Sequence, residues 1–65
     1  MKIYRIRDWE IWYERSWRVW AAAKFGDING RWTQKTSCCH RYKKSEIEAM
    51  IADRSIESAV DIYFE

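Results

Sequence analysis

The sequence predicts a small α+β domain, an antiparallel sheet built around one hairpin with a single short helix beside it. Three observations predict it. Residues 26–30, Gly-Asp-Ile-Asn-Gly, are the one strong turn signal, and Asn29-Gly30 suits the positive φ angles of a tight hairpin. The flanking stretches are rich in Trp, Tyr, Val and Thr, side chains that fit a pleated surface. Farther on, Ser45 precedes Glu48 by three residues, and Ile47, Met50 and Ile51 recur at helical spacing.

Taken in order, residues 2–7 read as an N-terminal strand. The hairpin runs over about 16–25 and 31–41. In its first arm the odd positions Trp17, Val19, Ala21, Ala23 and Phe25 are apolar, while Ser16, Arg18, Trp20 and Lys24 alternate with them. The register predicts odd residues of the first arm beside even residues of the second. Trp32, Thr36, Cys38 and His40 then join the odd set as a core face. The opposite face gathers Arg18, Trp20, Lys24, Arg31, Lys35, Cys39 and Arg41. A rival reading makes 8–25 an amphipathic helix, with Asp8 as N-cap and Gly26 just past its end. It would place Trp9, Trp12, Tyr13, Ser16, Trp17, Trp20 and Ala23 on one side, with Glu14 and Arg18 spaced as an i, i+4 pair. The density of aromatic and β-branched residues favours the hairpin, and the 31–41 strand needs a partner. A helix follows at about 45–54. Its capping box pairs the Ser45 hydroxyl with the Glu48 amide, and the Glu48 carboxylate with the Ser45 amide. Val60, Ile62 and Phe64 then alternate with Asp61 and Tyr63, predicting a closing strand at about 59–64.

Composition sets the outer bounds. Sixty-five residues make one domain, 1–65, and the chain from Met1 reads as a complete small product. Folding buries only about 60% of the surface of so short a chain. Five Trp, four Tyr and two Phe compensate, since each large ring buries about 150–250 Å². Hydrophobic residues are 48% and charged residues 34%, an ordinary globular balance. The longest apolar run, residues 19–23, is far short of the roughly 20 a bilayer needs. Charges interleave the N-terminus where a signal peptide would be apolar. A cytoplasmic protein is expected, in the host cytosol if phage-encoded, with no membrane partner.

Charge is unevenly spread. Residues 1–44 hold eleven Lys/Arg against four Asp/Glu, whereas residues 45–65 hold one Arg against six acids. That split suggests either a surface for an acidic partner or an acidic segment folded beside a basic one. Catalytic equipment is missing. There is one histidine, His40, with no Gly-rich phosphate loop and no nucleophile elbow. An enzyme is not expected. Cys38-Cys39-His40 offers zinc-type ligands, but neighbours on a strand point to opposite faces. No further Cys or His completes a tetrahedral set. No metal and no cofactor are expected, and adjacent cysteines build no disulfide framework.

Trp, Tyr and Arg together make sixteen of the 65 residues, and these types dominate the hot spots of protein interfaces. Not every Trp fits inside so small a body. Trp9 and Trp12, lying between strands, are expected to turn outward with Tyr13 and Arg15 beside them. Asp8, Glu10 and Glu14 nearby would repel phosphate and suit a protein partner. The first reading is therefore a non-enzymatic protein that inhibits or modulates another by occupying its surface, as phage and mobile-element accessory proteins do. The second is a nucleic-acid-binding module, with Trp20 as a stacking platform ringed by Arg18, Lys24, Arg31, Lys35 and Arg41. A homo-oligomer is compatible with either.

Overall fold

The structure, a computed structural model, describes residues 1–62. Five strands form one antiparallel sheet: β1 (Ile3–Ile6), β2 (Trp9–Glu14), β3 (Val19–Ile28), β4 (Arg31–Gln34) and β5 (Cys39–Arg41). One helix, α1 (Lys44–Ala52), and a 3-10 turn (Ser55–Ser58) follow. Antiparallel hairpins leave one sheet face to be covered by the helix and the other open, the usual α+β solution.

β3 is the spine. Its first half pairs with β2, from Glu14↔Val19 to Trp9↔Lys24. Its other edge carries β5 from Trp20↔Arg41 to Ala22↔Cys39, and β4 from Phe25↔Gln34 to Ile28↔Arg31. β4 and β5 are thus one second arm, interrupted at residues 35–38. In the break, the Lys24 amide donates to the Thr36 hydroxyl at 3.0 Å and the Lys35 amide to the Lys24 carbonyl at 2.8 Å. Thr36 is fully buried, and this bond satisfies it. The expected Asn29-Gly30 turn closes β3 to β4, with φ of 54° and 77° at its two residues.

Residues 8–25 form no helix. They make two strands joined by a turn at 15–18, where Arg18 adopts φ 55°. β2 occupies residues that the sequence predicts as a connection between strands. Its alternation sends Trp9 and Ile11 to one face and Glu10 and Trp12 to the other, which suits a strand buried on one side. The three alanines that favoured a helix occupy the middle of β3, each 1% exposed or less. Their small side chains let larger neighbours close over the sheet.

The core lies between the sheet and α1. Trp9, Ile11, Ala22 and Cys39 from the strands meet Ile47, Ile51, Ile56 and Val60, with Tyr4, Ile6, Trp20, Met50 and Ala59 packed at its margin. This corrects the expected facing. Odd-to-even pairing holds, as in Ala21↔His40 and Asp27↔Trp32, but Trp20, Ala22 and Cys39 face the helix. Trp17, Val19, Ala21, Ala23 and Phe25 line the uncovered side. β2 decides it, because Trp9 and Ile11 bring the largest buried side chains to the Ala22 side.

α1 begins one residue before the expected start and ends at Ala52 rather than 54. Lys43 is its N-cap and makes no side-chain cap bond. Ser45 lies inside the first turn, so the Ser45/Glu48 capping box does not form. Glu48 instead pairs with Lys44 at 3.4 Å. No strand forms over residues 59–62, and residues 63–64 of the expected closing strand lie outside the described residues. The tail is tied to the break, with the Ser37 amide donating to the Ile62 carbonyl at 3.0 Å and the Asp61 amide to the Ser37 hydroxyl at 3.1 Å. Among the described residues no helix is long and apolar enough to cross a membrane.

Candidate functional site

The uncovered sheet face is built from alternate residues of every strand. Ile3 and Arg5 of β1, Glu10 and Trp12 of β2, Ala21, Ala23 and Phe25 of β3, Trp32 of β4 and His40 of β5 share it by register. Among the described residues no helix packs there. Ile3 is 53% exposed, Trp17 71% and Trp32 41%.

Trp32 is fixed on three sides. Phe25 stacks on it with ring centroids 6.2 Å apart and planes inclined by 13°. The Arg5 guanidinium stands 3.9 Å from its ring centroid, a cation–π contact reaching from β1 to β4. Its indole N–H donates to the Glu10 carboxylate. Trp17, carried on the turn between β2 and β3, stacks on His40 at 5.4 Å with planes 18° apart. Trp12 lies half-buried between Ile3 and Ala21. The face therefore holds several rings already fixed in place, with charges of both signs among them.

At the opposite side a second feature lies beside the start of α1. Tyr4, Tyr13 and Trp20 line a cleft of about 350 Å³ with Met1, Lys2, Glu14 and Arg15. Tyr13 meets Trp20 edge-on at 5.4 Å and 66°, and Tyr4 lies 6.1 Å from Trp20 at 56°. The Lys2 and Lys44 ammonium groups sit 4.9 and 4.1 Å from the Tyr4 ring. Glu14 accepts the Ser16 hydroxyl at 2.7 Å, and that bond holds its carboxyl below the ordinary range.

The two expected residue sets are divided by this arrangement. Trp9 is 4% exposed and belongs to the core, so its expected outward position is corrected. Trp12 stands on the uncovered face, while Tyr13 and Arg15 line the cleft behind it. Of the basic set, Trp20 is half-buried between Tyr4 and Tyr13 and is not an open platform. Lys24 pairs with Glu57 at 3.5 Å on the helix side. Arg18 lies in a turn, Arg31 beside the hairpin turn, Lys35 against Gly26, and Arg41 opposite Trp20. By register Trp20, Lys24, Arg31 and Arg41 share one side of the sheet, as expected, but it is the side that α1 packs against. Cys39 is buried and Cys38 half-buried, both free, and burial pushes both thiols up.

The sequence places Trp17, Phe25, Trp32 and His40 on one face but predicts it as core, and it does not bring Ile3 and Arg5 to that face. The alternation of residues 9–14 was the signal that could have found it, since it fixes which side of β3 is inside. Comparison with known proteins finds no matching family model, no matching curated protein and no matching solved structure.

Proposed function

We propose that this chain is a small non-enzymatic binding protein that inhibits or modulates a partner protein by occupying the partner's surface with its uncovered sheet face. The supporting observation is the set of Trp12, Trp17, Phe25 and Trp32 on the side of the sheet that no helix covers among the described residues. Trp and Arg are the residue types that most often anchor interfaces. Rings already held by stacking and by the Arg5 and Glu10 contacts have little freedom left to lose on binding. The interleaved Arg5, Glu10 and Asp27 suit the mixed charge of a protein surface better than a polyanion. A chain this small that acts by occupancy fits an accessory protein of a phage or mobile element, directed at host machinery in the cytoplasm.

The test is affinity capture from bacterial lysate by the wild type, by a Trp17→Ala/Trp32→Ala double variant, and by Glu46→Ala on the helix layer. A partner held by the wild type and Glu46→Ala but lost by the double variant is the expected result. Capture that the double variant retains in full would end this reading, as would no capture at all.

A further inference from the structure

We propose that the cleft between Tyr4, Tyr13 and Trp20 binds a nucleobase together with its phosphate. The site is separate from the uncovered face, and the inference does not rest on the proposed function. Its size falls within the roughly 300–1,000 Å³ of ligand pockets, and its floor is aromatic. Tyr13 is 40% exposed beside the cleft, so a planar ring can stack on it with Trp20 edge-on behind.

Charge selects the rest of the ligand. Lys2 and Arg15 line the cleft. Glu14 is the one acid among the lining residues; it stays charged, held by the Ser16 hydroxyl, so the phosphate must sit on the Lys2 and Arg15 side of the rings. The Lys44 ammonium over Tyr4 is paired with Glu48 and adds no free charge. Lys2 and Arg15 beside three rings outnumber the single acid and favour a planar group that carries negative charge. A base with its phosphate supplies both, stacking on an aromatic floor while a phosphate meets Lys or Arg. The same chemistry comes from a free mononucleotide or from single-stranded nucleic acid, and the probes distinguish the two sources.

The experiment is a titration of the ¹⁵N-labelled full chain with thymidine 5′-monophosphate and, separately, with oligo(dT) of about ten nucleotides, within the site size of one small binding module. Each Trp has its own indole N–H resonance. The Trp20 indole and the Tyr13 and Arg15 amides should shift, while the Trp17 and Trp32 indoles stay in place. If the oligomer neutralises about three phosphates, its affinity falls roughly 20-fold between about 50 and 200 mM salt. Tighter binding of the oligomer assigns single strands; equal binding of both probes assigns the mononucleotide. Tyr13→Ala should weaken binding about fivefold or more, the loss expected for one stacked base. Arg15→Gln, in an exposed turn, should weaken it without touching the fold. No shift with either probe overturns the proposal, and so do shifts at Trp17 and Trp32 instead of Trp20. Either failure leaves the capture result for the uncovered face standing.

Discussion

Three arginines occupy backbone positions that glycine would fill more cheaply. Arg7, Arg18 and Arg54 have φ of 55°, 55° and 66°, in the left-handed region where a Cβ is strained. Arg54 follows the end of α1, and its amide donates to the Ile51 carbonyl at 3.3 Å, the place where helices most often end on Gly. Arg54→Gly and Arg18→Gly should therefore each raise stability by about 0.5–1 kcal/mol, read as a higher urea midpoint. Arg7→Gly should gain less, because its guanidinium donates to the Ile51 carbonyl at 3.4 Å and joins the first hairpin to the helix end. Asp53 sets a pH dependence at the same place. Its carboxylate accepts the Ser55 amide at 2.8 Å, and the bonds to Ser55 hold its pKa below the ordinary value. A carboxyl depressed by folding stabilises above its unfolded pKa, about 3.9, and that contribution is lost as pH falls through the lower folded value. Asp53→Ala should thus be less stable than the wild type at pH 7, by a margin that narrows as pH drops below about 4. A margin that stays constant across urea melts in that range would show that the Asp53 charge contributes nothing.

At the scale of elements, α1 shows what its sequence withheld. Its N-cap is Lys43, whose carbonyl accepts the Glu46 amide at 3.2 Å but whose side chain offers no acceptor to the first-turn amides. Lys43→Asp should add a cap bond and a favourable charge at the helix start, raising stability by about 1 kcal/mol. A urea midpoint no higher than the wild type's would mean that those amides are already satisfied. The capping box was legible as a motif, but the chain leaving β5 at Arg41 starts the helix one residue early and places Ser45 inside it. The hairpin turn was legible in full, because Asn29 and Gly30 carry their conformational preference locally. Which face of β3 is buried was not legible from β3 itself. Trp17, Val19 and Phe25 on one side outweigh Trp20 and Ala22 on the other in apolar size, and the wrong face wins that comparison. The deciding information lies in β2 and α1, in Trp9, Ile11, Ile47 and Ile51, which meet Ala22 only after folding. The same reversal hides the candidate surface in the sequence, where Trp32 and Phe25 read as core and Trp9 reads as exterior.

Over the whole molecule, the apolar side chains divide into two populations with different expected costs. The helix-side core is small: Ile11, Ile47, Ile51 and Ile56 are each 2% exposed or less. A domain of this size holds only about 3–5 kcal/mol in total. Ile47→Ala, which empties the centre of that core, costs about 2–5 kcal/mol and should leave much of the protein unfolded at room temperature. Trp17 is the larger side chain, yet it is 71% exposed and rests on His40 alone among the rings. Trp17→Ala should change stability by about 0.5 kcal/mol or less, as substitutions away from core and caps do. Since about 1 kcal/mol moves the midpoint of a domain this size by 4–8 °C, the expected shift is no more than about 4 °C. Thermal melts followed by circular dichroism should show a near-normal transition for Trp17→Ala and a lost or strongly lowered one for Ile47→Ala. The contrast separates binding from folding, because a Trp17 variant that melts normally yet loses its partner has lost only the surface. If Trp17→Ala instead melts as low as Ile47→Ala, the ring is a second core of the fold and the uncovered face is not free to dock.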